Sequence, residues 1–264
     1  MNEQPKVTVI TINYNCGDML ETTIRSVLAQ SYPNLEYIVV DGGSTDDSLA
    51  IIHKYQDKID RWVSEPDRGI YDAMNKGVRM ASGEWVNFMN AGDWFVDNQT
   101  VEKVMALADH QAEMVYGDHE VRFDSFTKQK KALPAKYIWK HMVCSHQSLF
   151  TRSVLLEKHP FSAAYGSAGD YHFIYTQVQN GVVAQQVPVK VASFDSGGVS
   201  YTHPVDSYKQ ILRIVTEKDK SLKVYLFHYG LIGKQLCIEG VKRLLPRDVF
   251  EKWMKTKNKL LGKT

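Results

Sequence analysis

The chain has 264 residues, 44% of them hydrophobic and 23% charged; this is ordinary for a globular protein and large enough to bury a core without a disulfide or metal staple. Cys16, Cys144 and Cys237 are far apart and form no Cys-x-x-Cys pair, which excludes a disulfide scaffold and fits a reducing compartment. The net charge of +2 is unevenly spread: residues 220–264 carry 11 Lys/Arg against 3 Asp/Glu, leaving a balance of −6 before them. The start is polar, without a signal-peptide pattern, and no run approaches about 18 consecutive apolar residues. A cytoplasmic protein is therefore expected.

In chain order, residues 7–12 form a β-rich run that opens into the polar loop Asn13-Tyr14-Asn15. Asp18 and Glu21 resemble a helix-capping pair, and Leu20, Ile24, Val27 and Leu28 keep helical spacing until Pro33-Asn34. Residues 35–41 are apolar enough for a strand buried on both faces. The turn Gly42-Gly43-Ser44-Thr45 leads to a helix carrying Leu49, Ile52 and Tyr55, then a strand at 59–65. The helix expected over 70–81 places Ile70, Met74, Gly77/Val78 and Ala81 on one face, and a fourth strand follows at 84–89. This alternation predicts βαβ units and a parallel sheet.

Beyond it the pattern is less regular. A helix is expected near 100–109, strands near 114–117 and 147–151, a helix at 170–179, one or two strands within 182–194, and a helix at 204–218 led by Pro204. There is no internal repeat and no low-complexity segment.

In open α/β sheets ligands bind outside the carboxyl ends of the strands. The polar residues gather there: Thr11 and Asn13 to Asn15, Asp41, Glu65 to Arg68, and Asn90 to Asp93. No Gly-x-Gly-x-x-Gly follows the first strand and no P-loop is present, which disfavours a dinucleotide dehydrogenase or a P-loop ATPase. A diphosphate site built from carboxylates needs a divalent cation to offset like charges.

The runs Val7-Thr8-Val9-Ile10-Thr11 with Asn13-Tyr14-Asn15, Asp41-Gly42-Gly43-Ser44-Thr45-Asp46, Asp67-Arg68-Gly69-Ile70-Tyr71-Asp72-Ala73-Met74-Asn75-Lys76-Gly77 and Ser82-Gly83-Glu84 together resemble the family 2 glycosyltransferases of bacterial surface-polysaccharide type. The resemblance implies an α/β GT-A fold: a Rossmann-like, mostly parallel central sheet flanked by helices, here with a C-terminal helical extension. It divides the chain into a catalytic domain at 1–219, with a nucleotide-binding half at 1–95 and an acceptor half at 96–219, and a basic amphipathic tail at 220–264.

It further implies inverting transfer from a nucleotide-sugar donor, usually a UDP-sugar, to a saccharide or polyprenyl-linked acceptor. Asp41 would meet the base, with Thr11, Asn13 and Asn15 beside the nucleoside and Glu65, Asp67 and Arg68 on the uridine or diphosphate side. Asn75, Asn90, His146 and Gln147 complete the expected donor contacts. The family's paired acids after the fourth strand are reduced here to Asn90-Ala91-Gly92-Asp93. Asp93 is the expected ligand of a Mn2+ or Mg2+ ion completed by phosphates and water.

Inverting transfer needs a base for the acceptor hydroxyl. Asp170, in Gly166-Ser167-Ala168-Gly169-Asp170 at the start of an apolar helix, matches the family's position for it; the alternative is a helix N-cap. His172 is a second choice. His141, Cys144 and His146 lack the paired spacing of a zinc site. Gly197-Gly198-Val199-Ser200 reads as a loop closing over the diphosphate, with His203 as a further metal ligand.

The basic, apolar-rich tail is expected to favour the anionic inner face of a membrane, against the alternative of a helix packed on the catalytic domain. Nucleic acid is not expected, because no recognised module accompanies the basic residues. The competing readings are a non-catalytic nucleotide-sugar-binding protein of this fold and, less favoured, a nucleotidyltransferase.

Overall fold

Val7–Asn13 (β1) is buried along its whole length, as a central strand covered by helices on both faces must be. The structure, a computed structural model, describes residues 4–123, 126–197 and 203–244. β1 pairs in parallel with Leu35–Asp41 (β2) on one side and Trp85–Phe88 (β4) on the other, and β2 pairs in parallel with Arg61–Ser64 (β3). Gly17–Leu28 (α1), Ser48–Tyr55 (α2) and Ile70–Met80 (α3) make the crossovers. The carboxyl ends of β1 to β4 therefore lie along one rim, where the polar residues sit.

Past β4 the sheet turns mixed. Leu149–Arg152 (β8) lies antiparallel to β4 and to Met114–Phe123 (β6), and β6 runs parallel to Ala184–Asp195 (β9). Trp94–Phe95 (β5) pairs antiparallel with β9, and Phe126–Lys130 (β7) forms a hairpin with β6. The order is β3-β2-β1-β4-β8-β6-β9-β5, with β7 branching from β6. Thr100–Leu107 (α4), Ser153–Lys158 (α5) and Gly169–Gln179 (α6) complete this unit.

Four details differ from the sequence reading. β5 spans two residues, too short to leave a period. β7 is mostly exposed and polar, so it lacks the apolar alternation that marks a strand. The strand expected from residue 147 begins at Leu149, after a 3-10 turn over His146–Ser148. On α3 the buried set is Tyr71, Ala73, Met74, Gly77 and Val78, while Ile70 is exposed. The inward face is rotated because the Tyr71 ring stacks on Phe161 and its hydroxyl finds partners around Asp170.

The chain divides into two units, Met1–Gly198 and Val199–Thr264. In the second, Pro204–Lys218 (α7) packs against Leu222–Leu244 (α8). The sequence reading places the boundary at 219/220; the structure groups α7 with α8. The expected closing loop at Gly198, Val199 and Ser200 lies outside the described residues, as do residues 245–264 of the tail. No helix among the described residues is long and apolar enough to cross a membrane.

The amino ends of the strands are tied by a polar network around Glu36, which is buried. Its carboxylate accepts bonds from Thr8 Oγ1 (2.6 Å), Ser82 N (2.8 Å), Ser82 Oγ (2.7 Å) and Lys6 Nζ (3.4 Å). Gly83 donates to Thr8 Oγ1 at 2.9 Å, and a Cβ there would lie 2.7 Å from the Thr8 nitrogen, so no side chain fits. The Ser82-Gly83 motif thus joins β4 to β1 and β2. Burial alone would raise the Glu36 pKa, but the Thr8 and Ser82 bonds outweigh it and bring it to about 2.

A folded pKa below the unfolded one gives stability that is full above about 4.5 and is lost as pH falls toward 2. Glu36→Gln is expected to cost about 2 kcal/mol at pH 7, less than the whole shift because the Lys6 side of the network meets solvent. Urea unfolding across pH would check this: the gap to the parent should close near pH 2–3, the range set by that depressed pKa.

Candidate active site

The turn after β2 is organised by Asp41. Its Oδ1 accepts from Asn13 Nδ2 (2.7 Å) and Ser44 Oγ (2.5 Å), and its Oδ2 from Gly43 N (3.2 Å), Ser44 N (2.9 Å) and Ser64 Oγ (2.6 Å). Burial pushes its pKa up, yet the bonds from Ser44, Ser64 and Asn13 leave it below the usual carboxylate range. Both oxygens are occupied, so Asp41 holds the ends of β1, β2 and β3 together. Asn13 Oδ1 beside it is buried with no hydrogen-bond partner, an acceptor left open at the end of β1.

Asn15 adopts a positive φ of 48° and its Oδ1 accepts from Thr45 N at 2.8 Å, which fixes the β1 loop against the β2 turn. Thr11 is fully buried; its hydroxyl meets Tyr37 and donates to the Met89 carbonyl (2.8 Å). It therefore supports the rim from beneath. Glu65 is exposed and pairs with Lys76 at 2.9 Å, Asp67 caps the turn through Gly69 N at 2.7 Å, and Arg68 is almost fully exposed, reaching Asp72 at 3.4 Å. Asn75 bonds the Phe161 backbone at both ends, Nδ2 to O and Oδ1 from N, each 2.9 Å. It clamps the segment leading to Asp170 and is committed there.

The remaining expected residues come together. Asn90 Nδ2 lies 3.1 Å from His146 Nε2, and His146 Nδ1 lies 3.3 Å from Asp170 Oδ2. The next residue, Gln147, donates from Nε2 to Asp93 Oδ2 at 2.7 Å. Two consecutive side chains in the turn before β8 thus reach the acid of α6 and the acid after β4. Asn87, within β4, fixes that turn by donating to the carbonyls of Gln147 and Leu149, both at 2.9 Å.

Asp170 is the second residue of α6 and not its N-cap, which is Ala168. Besides His146, it accepts from Tyr171 N (2.8 Å) and lies 3.1 Å from the Tyr71 hydroxyl, which also approaches the Ser167 carbonyl at 3.0 Å. A Cβ on Gly169 would come within 2.7 Å of the Tyr71 ring and 2.8 Å of the Ser162 carbonyl, so glycine there lets α3 approach the acid.

Asp93 is 8% exposed. Burial pushes its carboxyl up to about 6, against the opposing influence of Gln147, His146 and Arg122. Arg122, from β6, stacks 3.3 Å above Trp94 and donates to the Gly92 carbonyl (2.6 Å) and Ser193 Oγ (2.9 Å). Tyr71 and Arg122 are absent from the sequence reading. Tyr71 stands inside a quoted motif, but nothing near Arg122 marks it.

Among the described residues no group of three or more His, Cys, Asp or Glu could hold a metal. Asp93 nevertheless offers a carboxylate of which Gln147 takes one oxygen, suited to a hard cation that takes its other ligands from a diphosphate and water. His203 belongs to the second unit. Arg122→Ala is expected to lower stability by about 2 kcal/mol through the lost bonds and ring contact. Lysine should restore only part of this, lacking the planar fork; guanidinium unfolding of both variants checks it.

The sequence matches the model described as glycosyl transferase family 2 over residues 8–168. It is 31% identical over 224 residues to an uncharacterized glycosyltransferase of Mycobacterium tuberculosis, covering 81% of this chain and 84% of that protein. It is also 31% identical over 206 residues to a PGL/p-HBAD biosynthesis glycosyltransferase of Mycobacterium bovis, covering 75% and 80%. The mannosyltransferase PcManGT of Pyrobaculum calidifontis, solved with GDP-Man and Mn2+, superposes with a TM-score of 0.67 at 21% identity, covering 88% of this chain and 70% of that one. S. aureus TarS 1-349 with UDP-GlcNAc gives a TM-score of 0.64 at 20% identity, over 80% of this chain; the chain spans 65% of that one.

Proposed function

Because the chain belongs to glycosyl transferase family 2 and has the GT-A fold, we propose that it moves a hexosyl or N-acetylhexosaminyl group from a UDP-sugar to a saccharide or lipid-linked acceptor, with inversion. One observation carries this reading: His146 and Gln147 join Asp170 to Asp93 across a single turn. In this reading Asp170 is the proton acceptor and Asp93 the cation-binding acid, both held by side chains of that turn. The UDP assignment draws support from TarS, solved with UDP-GlcNAc; PcManGT, solved with GDP-Man, makes guanosine the alternative to test.

In this reading the Asp170 carboxylate takes the proton of the acceptor hydroxyl as that oxygen attacks the anomeric carbon. The bond from that carbon to the diphosphate oxygen breaks, and the nucleoside diphosphate leaves on the opposite face. A divalent cation, Mn2+ or Mg2+, held by Asp93 and the diphosphate would offset the charge that develops on the leaving group. His146 and Tyr71 keep the Asp170 carboxylate aimed, and Asn13 and Asn90 present open acceptors at the ends of β1 and β4.

The test is nucleoside diphosphate release from UDP-Glc, UDP-GlcNAc, UDP-Gal and GDP-Man with Mn2+, repeated with chelator. Turnover of one UDP-sugar, suppressed by chelation, is expected, with the anomeric configuration of the product opposite to that of the donor by NMR. Retention of configuration would overturn the inverting mechanism. Preferential turnover of GDP-Man would overturn the donor assignment.

A further inference from the structure

Leu222, Leu226, Tyr229, Leu236 and Leu244 of α8 are each more than half exposed. At 3.6 residues per turn they fall on one face of the helix. Gly230, Gly233, Gly240 and Cys237 fill the positions between them, so this face carries no charged residue from Leu222 to Gly240. Val224 and His228 are buried on the side away from the stripe, and Ile232 is buried at its edge. Over 23 residues the exposed stripe runs about 33 Å at the usual rise per residue, far more than the scattered leucines of an ordinary surface.

Charge selects the occupant. Lys223 and Lys234 border the stripe on one side and Glu239 on the other, and residues 220–264 together carry 11 basic against 3 acidic residues. Pairing two copies through this face would bring like charges together. An anionic bilayer would receive the apolar stripe in its acyl boundary and the lysines at its headgroups. The helix is not apolar enough to cross a membrane, so it would lie in the plane of the surface. We propose that the exposed face of α8 docks the protein on an anionic lipid surface. This goes beyond the donor reading and does not depend on it.

The test is co-flotation of the full chain with phosphatidylcholine vesicles containing about 30 mol% phosphatidylglycerol, against phosphatidylcholine alone. Binding to the anionic vesicles is expected to be at least about tenfold stronger. Leu226→Glu and Leu236→Glu, changes at exposed positions, should each weaken it about tenfold or more. Circular dichroism and vesicle-free nucleoside diphosphate release should stay at parent values. Absence of flotation by the parent overturns the proposal, as does undiminished flotation by both variants, which would mean charge alone suffices. A concentration-dependent dimer lost in Leu226→Glu, without flotation, would assign the face to a second copy and also overturn it. Flotation without turnover would sink the catalytic reading and leave this one standing.

Discussion

Asp170→Asn is expected to lower the rate of sugar transfer about 10²–10⁴-fold, the usual contribution of a positioned base, while donor KM changes little. Asparagine preserves the size of the side chain and its oxygen can still accept from Tyr171 N, so circular dichroism should match the parent. The chemistry differs. The carboxylate has donors on both oxygens: Tyr171 N and the Tyr71 hydroxyl face Oδ1, and His146 Nδ1 faces Oδ2. An amide cannot receive the acceptor proton, and its NH2 must point at one of those donors. Tyr71→Phe removes one of these partners and keeps the base, so a loss of about tenfold in kcat is expected from misaiming alone. Initial rates of nucleoside diphosphate release over a donor titration separate the two. An Asn variant within about threefold of the parent would remove Asp170 from the base role.

The first four strands and their crossovers were legible because the strands are buried on both faces and the helices amphipathic, so burial imposes a period that the residues display. β1 and β2 are long apolar runs, and Asn90, Asp93, His146, Gln147 and Asp170 do gather around one turn. Sequence could not reveal how much hydrogen-bonding capacity each polar residue had left. Thr11, Asp41 and Asn75 stand where ligand contacts were expected, but internal partners hold them. That saturation depends on Ser44, Ser64 and the Phe161 backbone, which fold in from other segments. Arg122 was hidden for the same reason. It sits in an alternating, charged stretch of β6, and only the pairing of β6 with β9 and β5 with β9 brings Ser193 and Trp94 to it.

Asp93→Asn is expected to make the protein more stable at pH 8 while abolishing most of its activity. Burial raises the Asp93 pKa from 3.8 to about 6 in the folded state. An ionised Asp93 therefore opposes folding: the cost is absent below about 3.8, grows as pH rises and is complete above about 6. Asparagine removes the charge and can still accept the Gln147 bond through its own oxygen. A gain of about 2 kcal/mol, or roughly 4–8 °C in Tm, should appear at pH 8 and vanish near pH 4. Activity should move the other way, falling about 10²-fold or more if Asp93 supports charge on the leaving diphosphate. Mn2+ with UDP should raise the Tm of the parent and leave that of the variant nearly unchanged, because ligands that bind only the folded state stabilise it by mass action. Lower stability of Asp93→Asn at pH 8 would identify the acid as a structural support. A stabilised, inactive variant would instead show a buried carboxylate retained at a cost to folding, as expected of a group kept for its charge.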